Sequence, residues 1–228
     1  MNTSIHPSTL KFLKDLSKNN NRDWFNAHKQ AYLNAYQNMC TFVDALIIEM
    51  NKHDDIENTS GKRSLYRIYK DVRFSKDKSP YNPRFAFSLN RATKLRRGGY
   101  YFSLKPGNSF LGCGFFAPNP TDLNRIRTDI SYNDDRWRKL LKSKGIQTNF
   151  GSLDGEKVLT APRGFDINHP AIDLIRHKQF ILRHYYTDAQ ITSPGFLKEV
   201  NKTYKAVRPF FDYMSEVLTT NANGELMV

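Results

Sequence analysis

The apolar residues of this 228-residue chain change their period twice, near Gly61 and near Pro120, and that change limits the folds open to it. Before Gly61, Phe25, His28, Tyr32, Tyr36, Met39, Val43, Leu46, Ile47 and Met50 recur at spacings of three and four, which predicts one long amphipathic helix over 24–52. A shorter helix with Leu10, Leu13 and Leu16 precedes it, with Ser8 as its candidate cap and Asn19-Asn20-Asn21 as its end. Alternation then predicts strands over 65–74, 85–89, 100–104 and 110–116, the last two joined by a Pro106-Gly107 turn. Helical spacing returns over 120–131 and 134–144, and Pro194 opens a long terminal helix that Pro209 is expected to kink. Between them, 151–160 reads as a weak hairpin, 171–177 as a short helix and 180–186 as a strand. The expected class is α+β, an antiparallel sheet packed with long N- and C-terminal helices in a single domain over 1–228.

Composition agrees with a folded core. A chain of this length buries roughly 70–75% of its unfolded surface, and 16 Phe with 12 Tyr supply large apolar areas where aliphatic residues are few. Only Cys40 and Cys113 are present, with no pairing signal, which favours a reducing compartment and hence the cytoplasm. No run approaches the roughly 18 apolar residues of a membrane span, so no membrane insertion is expected. The sequence says nothing of protein partners.

The formal charge of +13 is unevenly placed. Residues 62–105 hold 13 Lys and Arg against Asp71 and Asp77 alone, or +11 of the total. Such a field attracts a phosphate-bearing small molecule or a nucleic acid equally well. Within the expected strand over 65–74, period two puts Arg67, Tyr69, Asp71 and Arg73 on one face and Ile68, Val72 and Phe74, with Lys70, on the other. An Asp between two Arg can align their guanidinium forks for bidentate grip of a phosphate, and Lys76 and Lys78 follow in a turn closed by Pro80-Tyr81. The candidate ligand-binding residues are therefore Arg67, Asp71, Arg73, Lys76, Lys78 and Tyr81. Arg163, ahead of Gly164, is a further donor from elsewhere in the chain. An exposed salt-bridge ladder of small energetic value explains the same residue types.

Two sequence runs, Asn20-Asn21-Arg22-Asp23-Trp24-Phe25 and the 16 residues from Tyr66 to Tyr81, carry a resemblance together with Gly98-Gly99-Tyr100-Tyr101 and Gly112-Cys113-Gly114. The chain resembles domain-of-unknown-function family 2461 from about Leu10 to about Leu218, with Lys70 where the family usually shows arginine. The resemblance marks the 66–81 signature as a family hallmark. It implies no activity, cofactor or catalytic residue.

Other motifs carry less. Gly112-Cys113-Gly114-Phe115-Phe116-Ala117 fits a dinucleotide fingerprint only formally, since it lies in a strand pattern ending at Pro118, and its glycines suit a bulge or close packing. The six histidines show no metal-ligand spacing, His28 falls on the core face of its helix, and His177 and His184 read as surface residues. No metal or cofactor is implied. Tyr69, Tyr81, Tyr100 and Tyr101 are candidates for stacking because they stand among cations. Three readings stay open: a binding module or metal-independent enzyme for a phosphate-bearing ligand, with Asp71 a better acid/base candidate than Asp77; a nucleic-acid-binding protein using a basic sheet face; and a structural interaction domain.

Overall fold

The computed structural model describes residues 4–221 and 223–227. Its class is α+β. The sheet has four strands in the order β1 (Phe85–Asn90), β2 (Gly99–Leu104), β3 (Ser109–Phe115) and β4 (Phe180–Tyr186), so three strands meet as the alternating pattern predicts and the fourth returns after a helical excursion. The chain divides into two compact units, one of Met1–Leu89, Tyr101–Leu111 and Tyr185–Lys202, the other of Asn90–Tyr100, Gly112–His184 and Thr203–Val228.

In the first unit, α1 (Pro7–Lys18) starts with a proline in its first turn, where the missing N–H costs nothing. Its cap is His6 rather than Ser8, and the cap side chain bonds none of the free amides. The expected 24–52 helix is two, α2 (Arg22–Ala27) and α3 (Lys29–Met50), broken at His28. There the backbone leaves helical geometry at φ −109° and ψ 22°, His28 Nδ1 sits 2.8 Å from the Trp24 carbonyl, and the imidazole stacks on Trp24 at 4.0 Å. His28 is thus exposed, not a core residue. Beyond the break, Ala35, Met39, Phe42, Val43, Leu46, Ile47 and Met50 form the buried stripe of α3, as their spacing predicts. Tyr32 meets Phe85 of β1, and Phe196 of a later helix meets Phe42 and Phe102, closing an aromatic core. Each such side chain contributes about 1.5–3 kcal/mol by leaving water.

The second unit centres on Trp137, Tyr100, Phe180, Phe210 and Phe211, all nearly inaccessible to solvent. The C-terminal helix is divided, Phe196–Ala206 (α10) and Arg208–Thr219 (α11), because Pro209 cannot donate to the turn before it. Tyr100 and Phe115 pack edge-on against Phe211 of α11. Helices over Pro120–Tyr132 (α5), Asp134–Leu141 (α6) and Lys144–Phe150 (α7) complete the layer, with Gly61–Ser64 (α4), Ile172–Ile175 (α8) and Asp188–Ile191 (α9) as single turns elsewhere. Asp154 and Lys157 do not pair with each other's neighbours as a hairpin; they bridge to Ile181 and His177. Gly114 is required at its place in β3: its φ is +144°, and a Cβ there would stand 2.0 Å from the Phe180 carbonyl oxygen.

His177, read from sequence as a surface residue, is 1% exposed. Burial first, and then Lys157, push its pKa down from 6.5 to about 4. The folded state therefore holds the neutral ring while the unfolded state takes a proton below pH 6.5. Stability should be full above that pH and fall as pH drops from 6.5 to about 4, by roughly 3 kcal/mol in all. Urea unfolding across this window tests it, and His177→Gln should flatten that part of the profile.

Candidate functional site

The 66–81 signature begins as an extended segment on the free edge of β1. Tyr66 N–H donates to the Ala86 carbonyl at 2.8 Å, Asn82 N–H to Ile68 at 2.7 Å and Lys70 N–H to Pro80 at 2.9 Å, with bridges Leu65 to Phe87 and Tyr69 to Tyr81. The pairing then stops, so two isolated bridges stand in place of the strand expected over 65–74. Asp71 Oδ1 accepts the Arg73 N–H at 3.2 Å and Ser75 N–H reaches back to the Val72 carbonyl, which turns the chain out of register. Phe74, placed by parity on the core face, is 96% exposed in the resulting loop.

Both ends of the loop are held from the N-terminal helices. Asn20 clasps Tyr81 through its whole amide, Nδ2 donating to the Tyr81 carbonyl at 2.9 Å and Oδ1 accepting the Tyr81 N–H at 3.1 Å. Phe25 stacks on the Tyr81 ring at 4.0 Å, and Tyr69 closes the cluster 5.5 Å from Tyr81. The Lys29 ammonium lies 5.0 Å from the Phe25 and Tyr32 ring centres and donates to Tyr69 Oη at 3.1 Å. Tyr81 is consequently 4% exposed, a core ring. The two runs that carry the family resemblance are thus one construction, in which the Asn20-to-Phe25 run anchors the signature.

Inside the loop, the carboxylates organise cations. Asp71 binds Arg73 in a fork, Nε to Oδ1 at 3.0 Å and Nη2 to Oδ2 at 2.7 Å, while Arg67 exerts only a longer-range attraction on it. Asp77 accepts from Lys70 at 2.6 Å and from Ser79 N–H and Oγ, both at 2.9 Å. Lys78 Nζ crosses the loop to the Val72 carbonyl at 3.1 Å. Arg67 and Lys76 are exposed and donate no hydrogen bond among the described residues. The Arg73 fork holds the Asp71 carboxyl below its ordinary 3.8, and Lys70 with Ser79 depress Asp77 further. These bonds are present above the ordinary carboxylate range and break only as pH falls through the depressed values, so the loop is invariant at neutral pH.

The remaining basic residues of 62–105 divide. Arg91, with a side chain 2% exposed, donates to the Arg97 carbonyl, to Ser215 Oγ and to Asp212 Oδ1, and lies 5.3 Å from the Phe211 ring. Arg97 pairs with Asp122, itself tied to Asn119. Both belong to the framework of the second unit. Arg163 is also in that unit, beside Tyr132, Asp166 and His169 on a cleft of about 370 Å³, and none of the signature residues lines it. Cys113 and Cys40 are buried, and burial raises both thiols above their ordinary pKa. Among the described residues no cluster of His, Cys, Asp and Glu could hold a metal ion, and no helix is long and apolar enough to cross a membrane.

Compared with known families, the chain matches over residues 8–213 the one described as conserved hypothetical protein (DUF2461). It belongs to that family. The matched span contains the Asn20 clasp, the signature loop and β1 to β4, so the whole site is family territory. No curated protein and no solved structure matches the chain. Lys29 is a residue of this candidate site that sequence reading missed, although its spacing from Phe25 and Tyr32, four before and three after, is the signal of a shared helical face.

The clasp gives a direct expectation. Asn20→Ala strands two half-buried backbone groups of Tyr81 and should cost about 1–3 kcal/mol in urea unfolding. The same change should speed amide exchange at Lys70, Tyr81 and Asn82, whose N–H groups make the bonds at this bridge, without touching Arg91 and its partners.

Proposed function

We propose that the chain is a binding module for a phosphate-bearing partner, gripped by Arg67, Arg73 and Lys76 on the signature loop. The observation that carries this reading is the contrast within the loop. Asp71 orients Arg73 while Arg67 and Lys76 keep their donors for something else, on a scaffold anchored by Asn20 and Phe25. A guanidinium already aligned loses little freedom on gripping a phosphate, and two further cations at hand add charge-assisted bonds. Exposure favours an extended anion over an enclosed small molecule, because Phe74, Arg73 and Lys76 face solvent rather than a cleft. Tyr81, buried under Phe25, has no part in it, and Asp71 serves as orienting group rather than acid or base, since a depressed pKa keeps it ionised. Two free, buried cysteines fit a reducing compartment, which supports a cytoplasmic location.

The sign of one substitution separates orientation from bulk charge. Asp71→Asn raises the net charge, so long-range attraction alone predicts tighter binding of inorganic polyphosphate; loss of the Arg73 fork predicts weaker binding, by about 3- to 10-fold for one charge-assisted bond. Arg67→Glu with Lys76→Glu should weaken it further and reduce the slope of log affinity against log salt by about 0.7–0.9 for each phosphate no longer neutralised. Calorimetry on folded variants decides, and unchanged or tighter binding by Asp71→Asn would sink the orienting role.

A further inference from the structure

Four aromatic rings cross the outer face of the sheet in the first unit. Tyr66 on the edge segment, Tyr101 on β2, Phe110 on β3 and Tyr185 at the end of β4 stand in a row with ring centres 6.3, 5.7 and 5.7 Å apart. Period two explains the row: Tyr100, Phe102 and Leu104 point into the core and Tyr101 points away, as Phe110 does beside Leu111. Tyr66 is 53% and Tyr185 58% exposed, a large aromatic surface to leave in water. Each ring is tilted 39–46° to the next instead of lying flat against it. Tyr66 Oη donates to Ser88 Oγ at 3.1 Å and Arg84 donates to Tyr101 Oη at 3.2 Å, which fixes two rings in place.

Cations flank the row, and Asp188 near its Lys105 end accepts the Gly107 N–H and pairs with Lys14. Strand parity puts Arg84 and Lys105 on the same face, Arg63 and Arg67 are exposed at the Tyr66 end, and the positions of that parity, 84, 86, 88, 101, 103, 105, 110 and 185, include no carboxylate. We infer that this row is a stacking platform for the unpaired bases of a single-stranded nucleic acid, whose backbone the flanking cations track. Single strands are bound by aromatic rings set in a basic surface, because every base has a π-face and every linkage a charge. A duplex hides its base faces at a rise of about 3.4 Å per nucleotide, whereas rings spaced near 6 Å call for a strand drawn out to almost twice that. The inference rests on the proposed reading of the signature loop, and supplies its partner class.

The test compares a short oligothymidylate with an abasic oligomer of equal length and charge, by fluorescence anisotropy on the full chain. The wild type should prefer the base-bearing strand, and Tyr66→Ala and Tyr185→Ala should each weaken it about 10-fold, the worth of one stacked base, while leaving the abasic strand bound as before. Tyr66→Phe and Tyr185→Phe keep the rings and should keep the preference, which separates stacking from hydroxyl bonding. Equal binding of both strands, abolished by Arg67→Glu with Lys76→Glu, would overturn the stacking platform and leave the loop as an anion site. Base-dependent binding untouched by that pair of changes would uphold the platform and overturn the loop reading. Binding of neither strand would overturn both.

Discussion

The bond between the Asn20 amide and the Tyr81 backbone is the constraint on which the signature depends. The loop over 71–79 mixes charges of both signs and has little apolar surface to bury, so its own composition does not hold it. Its return is fixed because Asn20 satisfies both backbone groups of Tyr81, and because Phe25 covers the ring of the same residue. The two interactions act on one point from one short stretch of chain. Asn21 caps α2 by accepting the Trp24 N–H at 2.9 Å, so adjacent asparagines do separate work: one starts the helix and the other ties it to the signature.

Charge in this protein is partitioned by burial. Arg91 is removed from water and surrounded by a carbonyl, a hydroxyl, a carboxylate and a ring, the complement a buried guanidinium needs. Arg73 has a similar fork to Asp71 but stays exposed, where the pair adds little stability. An ion pair of small energetic worth that still fixes a guanidinium's direction is useful mainly when something else arrives to meet it. The same sequence segment thus supplies both a framework and a surface, and net charge alone does not tell them apart.

Much of the architecture was legible because buried stripes have a period. The α3 stripe, the three strands β1 to β3 and the terminal helix follow from spacings of three and four or of two. The break at His28 was not legible: no glycine or proline stands there, and the His28 backbone and ring nitrogens both meet the Trp24 carbonyl where the helix ends. The strand over 65–74 failed for a related reason, since its apolar alternation continues to Phe74 while Asp71 turns the backbone. His177 escaped because its burial is made by segments distant in sequence, including the stretch that pairs with it at Lys157. The candidate residues could be named from sequence, and their arrangement could not. Arg67, Asp71, Arg73 and Lys76 do share one exposed segment, while Arg163 stands in the other unit, and no spacing argument could have separated them.

Tyr100 and Tyr101 show how far a single sequence can carry a functional argument. Both are tyrosines among cations, and composition treats them alike. The pleat does not: Tyr100 meets Tyr204 and Phe211 edge-on in the core, and Tyr101 faces outward between Tyr66 and Phe110. Which tyrosine is structural follows from strand parity once the strand is granted, but which rings stand beside it requires the neighbours' register. Phe110 comes from the next strand in sequence, and Tyr185 from one that follows only after the whole helical excursion between β3 and β4. A row built across strands is a property of topology, and it becomes visible only when the sheet order places those registers side by side.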